Sequence, residues 1–279
     1  MKHIYKIFFL SVFVFTISLT LSGETKAECA TVAGVITEVD ANEGCNTEPT
    51  TYGISAFKLY LCTAAPTAPT TTATSGLADC VIVFENPEGS DVSLSTGALF
   101  DLGGTQTLPP PGLYTHGILH MNNTFALTAK KEFEVAYDGQ VSGNGVFCVT
   151  ADGEGTAGST GDLTESSICG DATLTAGTHT EIMTSFDKPF NATANANNVA
   201  GTGANITAYL IDTNEFLAVN DADVNNLLGV VEFAEAANVT TSTTNVEILF
   251  NVGEGMFVEN ISGGMLFGSG PFQSTITVN

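Results

Sequence analysis

Short apolar or alternating stretches run the length of the chain, each closed by a cluster of Gly, Pro, Asn, Asp or Thr. That rhythm predicts strands near residues 32–39, 54–62, 80–84, 92–98, 112–121, 125–129 and 133–137. It predicts further strands near 145–150, 204–211, 228–234, 246–252, 255–261 and 274–278. Glu132-Phe133-Glu134-Val135 and Ser274-Thr275-Ile276-Thr277-Val278 alternate with period two, as expected of a strand with one wet face. Helical periodicity is scarce; the best window is 216–233, with one turn expected around 221–228. The expected fold is all-β, a β-sandwich or jelly-roll-like architecture with little helix. Pro109-Pro110-Pro111-Gly112-Leu113-Tyr114-Thr115 suits a turn that delivers the chain into a strand, because proline fixes φ and cannot donate to a ladder. Pro-Gly-x-Tyr turns of this kind are similar to those of many extracellular β-sandwich modules.

The first 27 residues read differently. Lys2, His3 and Lys6 precede an apolar run over 7–21, and Thr25-Lys26-Ala27 offers small residues at −3 and −1 of a cleavage site. The run is shorter than the roughly 20 residues that a bilayer span needs. The expectation is a signal peptide over 1–27 and a mature chain with no membrane span. That chain is expected to be secreted, periplasmic or displayed at the cell surface.

Six cysteines, Cys29, Cys45, Cys62, Cys80, Cys148 and Cys169, lie beyond this leader. An even number in an oxidising compartment points to three disulfides. Of the fifteen pairings, the sequential one closes short, turn-rich loops and is favoured; a structural zinc lacks any C-x₂-C pair. Because all cysteines precede residue 170, the chain divides into a disulfide-bearing β domain over 28–185 and a Cys-free β domain over 186–279. The latter is equally well a continuation of the same sandwich, joined around 172–198. Two stretches, 63–75 and 152–167, read as stapled loops.

Charge narrows the function classes. The mature chain keeps four lysines (Lys58, Lys130, Lys131, Lys188), no arginine and 29 acids, a net charge near −25. Such a surface repels nucleic acid and anionic membrane.

The sharpest candidate site is Asp221-Ala-Asp223-Val-Asn225, with Glu232 at position 12. This is similar to the Ca²⁺ loop of an EF-hand, with oxygen ligands at positions 1, 3 and 5 and a closing Glu; position 6 is Asn226 rather than Gly. His116 and His120 fall on one face of a predicted strand but about 13 Å apart, too far to share a metal. Acid pairs such as Glu132/Glu134 and Asp152/Glu154 are expected by chance in so acidic a chain. No Gly-x-Ser-x-Gly, His-Glu-x-x-His or Walker pattern occurs, and no catalytic activity or catalytic residue is expected.

The expectation is a secreted or cell-surface structural or assembly protein: a surface-layer, filament or adhesin-like subunit whose partners are itself or other envelope components. Segments 31–39 and 272–278 are the candidates for edge-strand addition. The alternative is a calcium-stabilised extracellular module that binds a glycan or another ligand.

Overall fold

A computed structural model describes residues 26–95, 102–161 and 163–279. The 1–27 leader, apart from Lys26 and Ala27, lies outside the described residues, as does the end of the strand expected over 92–98. The protein is all-β, with several sheets packed together and three disulfides.

In chain order the strands begin with β1 (Thr31–Val32) and β2 (Val35–Ile36), then helix α1 (Glu38–Glu43), β3 (Cys45–Thr47), β4 (Thr51–Cys62), β5 (Cys80–Leu94) and β6 (Thr105–Gln106). A long run follows as β7 (Gly112–Asn122), β8 (Thr124–Thr128) and β9 (Lys130–Asp138). Next come β10 (Asn144–Thr150), β11 (Gly153–Ala157), β12 (Ser167–Gly170), β13 (His179–Met183), β14 (Thr193–Ala196) and β15 (Asn205–Ile211). The chain closes with β16 (Asn226–Val239), β17 (Val246–Asn251), β18 (Met256–Ile261), β19 (Gly264–Ser269) and β20 (Gln273–Val278).

The strand expected over 32–39 is instead a tight hairpin and a helix. Ala33 and Gly34 both have positive φ, 54° and 87°, the geometry of a two-residue hairpin turn. Thr37 then caps α1, its hydroxyl accepting from the Asp40 amide. The turn signal Asn86-Pro87-Glu88-Gly89 does not end a strand either. It is absorbed as an irregularity within β5, between the pairs Lys58↔Glu85 and Ala56↔Ser90, with Gly89 at φ 82°.

β4 organises the largest sheet. Its C-terminal half pairs with β7, from Cys62↔His116 to Ala56↔Met121, and its N-terminal half pairs with β8, from Gly53↔Ala126 to Thr51↔Thr128. β7 and β8 are therefore one line of chain, interrupted at Asn123. On the far side of that line the sheet forks. β16, β15 and β14 follow β7, whereas β13 and β11 follow β8. Asn123 is buried at the fork, its side chain donating to the Met183 carbonyl at 2.8 Å and its own carbonyl accepting from the Met183 amide.

At Ala129 the same line of chain leaves this sheet and becomes the centre of a second, ordered β1-β2-β9-β10-β12. The Thr150 hydroxyl accepts from the Ala129 amide at 3.0 Å, which satisfies a buried backbone donor at the crossing. The second sheet shares a core with the sheet β19-β18-β3 through Phe133, Tyr137, Met256, Val258, Met265 and Phe267. The pair β17–β20 packs Phe250, Ile248, Ile276 and Val278 onto the large sheet.

The disulfides are Cys29–Cys45, Cys62–Cys80 and Cys148–Cys169, the sequential pairing. Cys62 faces Cys80 across β4 and β5, and Cys148 faces Cys169 across β10 and β12, so two of them cross-link opposed positions of neighbouring strands. Strands from either side of residue 185 share sheets: β16 pairs with β7, and β18 with β3. No described helix is long and apolar enough to cross a membrane.

The proline turn places β7 as the sequence suggests. Tyr114 is buried, and its hydroxyl donates to the Pro110 carbonyl at 2.8 Å, tying the strand back onto the turn that delivers it. Tyr114→Phe should lower the unfolding free energy by about 1 kcal/mol, the net worth of one such bond, with no change in denaturant m-value. Urea unfolding of the oxidised protein measures it.

Candidate functional site

One row across the large sheet is built, beyond Leu119, from small residues. Leu119 on β7 faces Gly229 on β16; Gly229 faces Ala208 on β15, and Ala208 faces Ala194 on β14. Toward the β14 edge, this row leaves a trough that its larger neighbours, Leu227, Val231 and Ile206, do not fill. A cavity of about 590 Å³ lies over it. Phe250, Phe272, Phe257 and Leu266 complete the apolar lining, and Met183 and residues 185–188 close it on the fork side. Size and lining match sites that hold a small organic molecule. A second depression, between α1, β9 and the β18–β19 hairpin, is lined by Glu38, Asn42, Asp138, Asn144 and Asn260 and is polar.

Aromatic contacts stiffen the wall. Tyr52 packs against Phe125 at 5.6 Å and Phe272 at 5.1 Å between ring centroids, and Phe272 continues to Phe250 at 6.0 Å. The Tyr52 hydroxyl donates to the Gly270 carbonyl at 3.3 Å.

One charged group is sealed into this lining. Glu181 on β13 is 1% exposed, and Ser269 donates to both its oxygens: the amide to Oε2 at 2.5 Å and the hydroxyl to Oε1 at 2.7 Å. Burial raises its pKa, an effect the two Ser269 bonds oppose. Two residues earlier, on the same face of β13, His179 is fully buried and neither ring nitrogen has a hydrogen-bond partner. Its pKa is lowered by desolvation. Leu163 lies near both: it neighbours Gly155, as the His179 ring does, and Gly268, as the Glu181 carboxylate does.

The sequence reading missed Glu181, and weighed His179 only as a distant third partner for His116 and His120, because β11 and β13 fall in stretches it took for loop and linker. Their strand inverts the usual pattern, with His179 and Glu181 inward and Thr180 less buried. The available signal was the Thr-rich stretch Thr178-His179-Thr180 leading into Ile182 and Met183, a composition that suits a strand.

The residues singled out from sequence are placed elsewhere. Asp221, Asp223, Asn225 and Glu232 do not converge. Asp221 accepts from the Ser159 amide at 2.9 Å, the Ser159 hydroxyl and the Thr184 hydroxyl at 2.9 Å, and these bonds lower its pKa. Asp223 accepts from the Asn220 amide group. A single 3₁₀ turn spans Asp221–Asp223, at the start of the helical turn expected around 221–228, and from Asn226 that stretch is strand instead. From Asn226 to Glu232 the chain is unbroken ladder between β7 and β15, about 20 Å of strand, so Glu232 cannot fold back onto Asp221. It accepts instead from Asn205 at 3.1 Å. Asp221 is a clasp that ties the ends of β11 and β13 to the loop before β16. Among the described residues no three His, Cys, Asp or Glu side chains gather to hold a metal. His116 and His120 lie on β7, where His120 is buried 3.9 Å from Glu215 and His116 contacts Thr115. Glu132 and Glu134 sit on the exposed face of β9.

His179 generates a pH dependence with a defined sign. Its folded pKa lies below its unfolded value, so the folded state resists its protonation. Stability is intact above about pH 6.5, the unfolded value, and falls as pH drops toward the folded pKa. Replacing His179 by Leu should remove that slope: the stability difference between variant and wild type, read by urea unfolding, should grow in the variant's favour between pH 7 and 5. An unchanged difference would show that His179 does not set the acid limb.

Comparison with known proteins adds no relative, since no family model, curated protein or solved structure matches the chain.

Proposed function

We propose that the protein is an exported, non-catalytic binding module that holds a small, largely apolar ligand between its sheets. The observation that carries this reading is the row Gly229–Ala208–Ala194, whose small side chains leave a cavity of about 590 Å³ between the sheets. Three disulfides and an acidic surface suit life in an oxidising, extracytoplasmic compartment.

Gly229 provides the test. A Cβ built there meets nothing nearer than 3.9 Å, so a side chain enters the trough without displacing backbone. Gly229→Phe should fold with unchanged or raised Tm while losing about tenfold or more in affinity for a neutral apolar fluorophore, roughly 1.4 kcal/mol. Absence of fluorophore binding to the wild type, or equal binding by Gly229→Phe, would remove this reading.

A second reading, a self-assembling surface subunit, is favoured by β17 and β20. Each of these strands pairs only with the other among the described residues, leaving two sheet edges free to accept a neighbour's strand. Light scattering after size-exclusion chromatography should then show concentration-dependent oligomers. A monomer across the micromolar range would rule this assembly out.

A further inference from the structure

Glu181 indicates what the cavity selects. A carboxylate offers about four lone-pair positions, and Ser269 fills only two of them. The side chain lines the cavity and is 1% exposed, and no cation among the described residues forms an ion pair with it. Leaving a buried carboxyl without a counter-charge is costly, and the group escapes that cost by holding a proton or by gaining a cation.

The groups facing Glu181 leave it free to do either. Tyr52, from β4, is an ionisable neighbour whose pKa is raised well above its ordinary value, first by burial and then by the charge of Glu181, so its hydroxyl stays neutral at ordinary pH. Ser269, from β19, supplies both hydrogen bonds, and burial lowers the pKa of His179, which lies on β13 with Glu181. The other charged residues of the lining are Lys26, Asp187, Lys188 and Glu259.

Resting on the binding reading above, we propose that the ligand is an amphiphilic amine: an apolar body lies over the Gly229–Ala208–Ala194 trough and its ammonium group pairs with Glu181. An ammonium offers the donors and the charge that the two open acceptor positions lack, and charge-assisted bonds of this kind are about twice as strong as neutral ones. The net charge of −23 draws cations toward the protein and repels anionic amphiphiles. A glycan fits the apolar trough poorly.

The sign of the pH dependence follows. With the site empty, burial favours the protonated acid; the amine binds the carboxylate, so binding releases a proton below the empty-site pKa. Affinity for the amine should rise with pH through that pKa and level off above it. It should decline again only near pH 10.4, where an alkylammonium of lysine type loses its own proton.

The experiment is isothermal titration of the oxidised full chain with decylamine, decanol and decanoate, each below its aggregation concentration, at two pH values on either side of the Glu181 transition. Decylamine should bind about tenfold or more tightly than decanol at the higher pH, and that advantage should shrink at the lower. Glu181→Gln should abolish the advantage while leaving decanol affinity within about twofold. Equal binding of amine and alcohol, preference for decanoate, or an unchanged advantage in Glu181→Gln would each overturn the amine assignment and leave the cavity reading intact. Failure of all three ligands to bind would overturn both. If Glu181→Gln does not fold, the wild-type series at two pH values still decides.

Discussion

The ladder that β4 makes, first with β7 and then with β8, is the constraint on which the remaining architecture hangs. Because β7, β8 and β9 are one continuous course of chain, its pairings with β4 and then with β10 tie together both arms of the fork and the second sheet, with register shifts at Ala56/Lys58 and Gly145/Phe147. A slip of one residue along β4 would turn Tyr52, Ile54 and Ala56 out of the core and their neighbours in. The Cys62–Cys80 disulfide opposes such a slip at one end of β4, fixing that strand to β5 where the two cysteines face each other. Tyr114 does the same for the start of β7, through its bond to Pro110.

The fork makes the cavity possible. Two arms that share a stem but diverge beyond Asn123 cannot both be covered by one flat layer, so β17–β20 and the β18–β19 hairpin meet over the gap. Small residues at 229, 208 and 194 then leave the gap open. A leucine at position 229 could gain about 1.5–3 kcal/mol of burial, so the glycine there sacrifices stability for space. Glu181, at the wall of the same space, adds the cost of burying a charge. An unfilled trough and an acid without a counter-charge in one place are the two departures from a close-packed core on which the binding proposal rests.

What the sequence revealed follows hydrophobic pattern closely. The courses 112–121, 133–137 and 274–278 were legible because apolar residues alternate with polar ones or run continuously between turn signals. The disulfide pairing was legible from loop length alone. Polar strands were not. β11 is Gly-Glu-Gly-Thr-Ala and β13 carries His179 and Glu181 inward, so neither shows an apolar period, and both were taken for connecting chain. The Asp221–Glu232 spacing misled for a related reason. Oxygen-bearing residues at alternate positions fit a metal loop and a tight turn followed by a strand equally well. Only the unbroken pairing of Asn226 to Glu232 separates the two. The cavity itself was illegible, because Gly229, Ala208 and Ala194 become neighbours only through pairing among three separate strands.

The pairing of β3 with β18 has a consequence for how the chain comes into being. Cys45 lies opposite Val258, and Thr47 opposite Met256. A polypeptide that emerges amino end first therefore offers β3 long before its partner exists, and more than two hundred residues must follow before that edge is covered. The Cys29–Cys45 disulfide needs no such wait, since its loop spans only 16 residues. It can close early and hold β3 in a compact local turn while the rest is delivered. Closure of the second core is thus a late event by construction, and the interval before it is when the chain is most open to mispairing with its own kind.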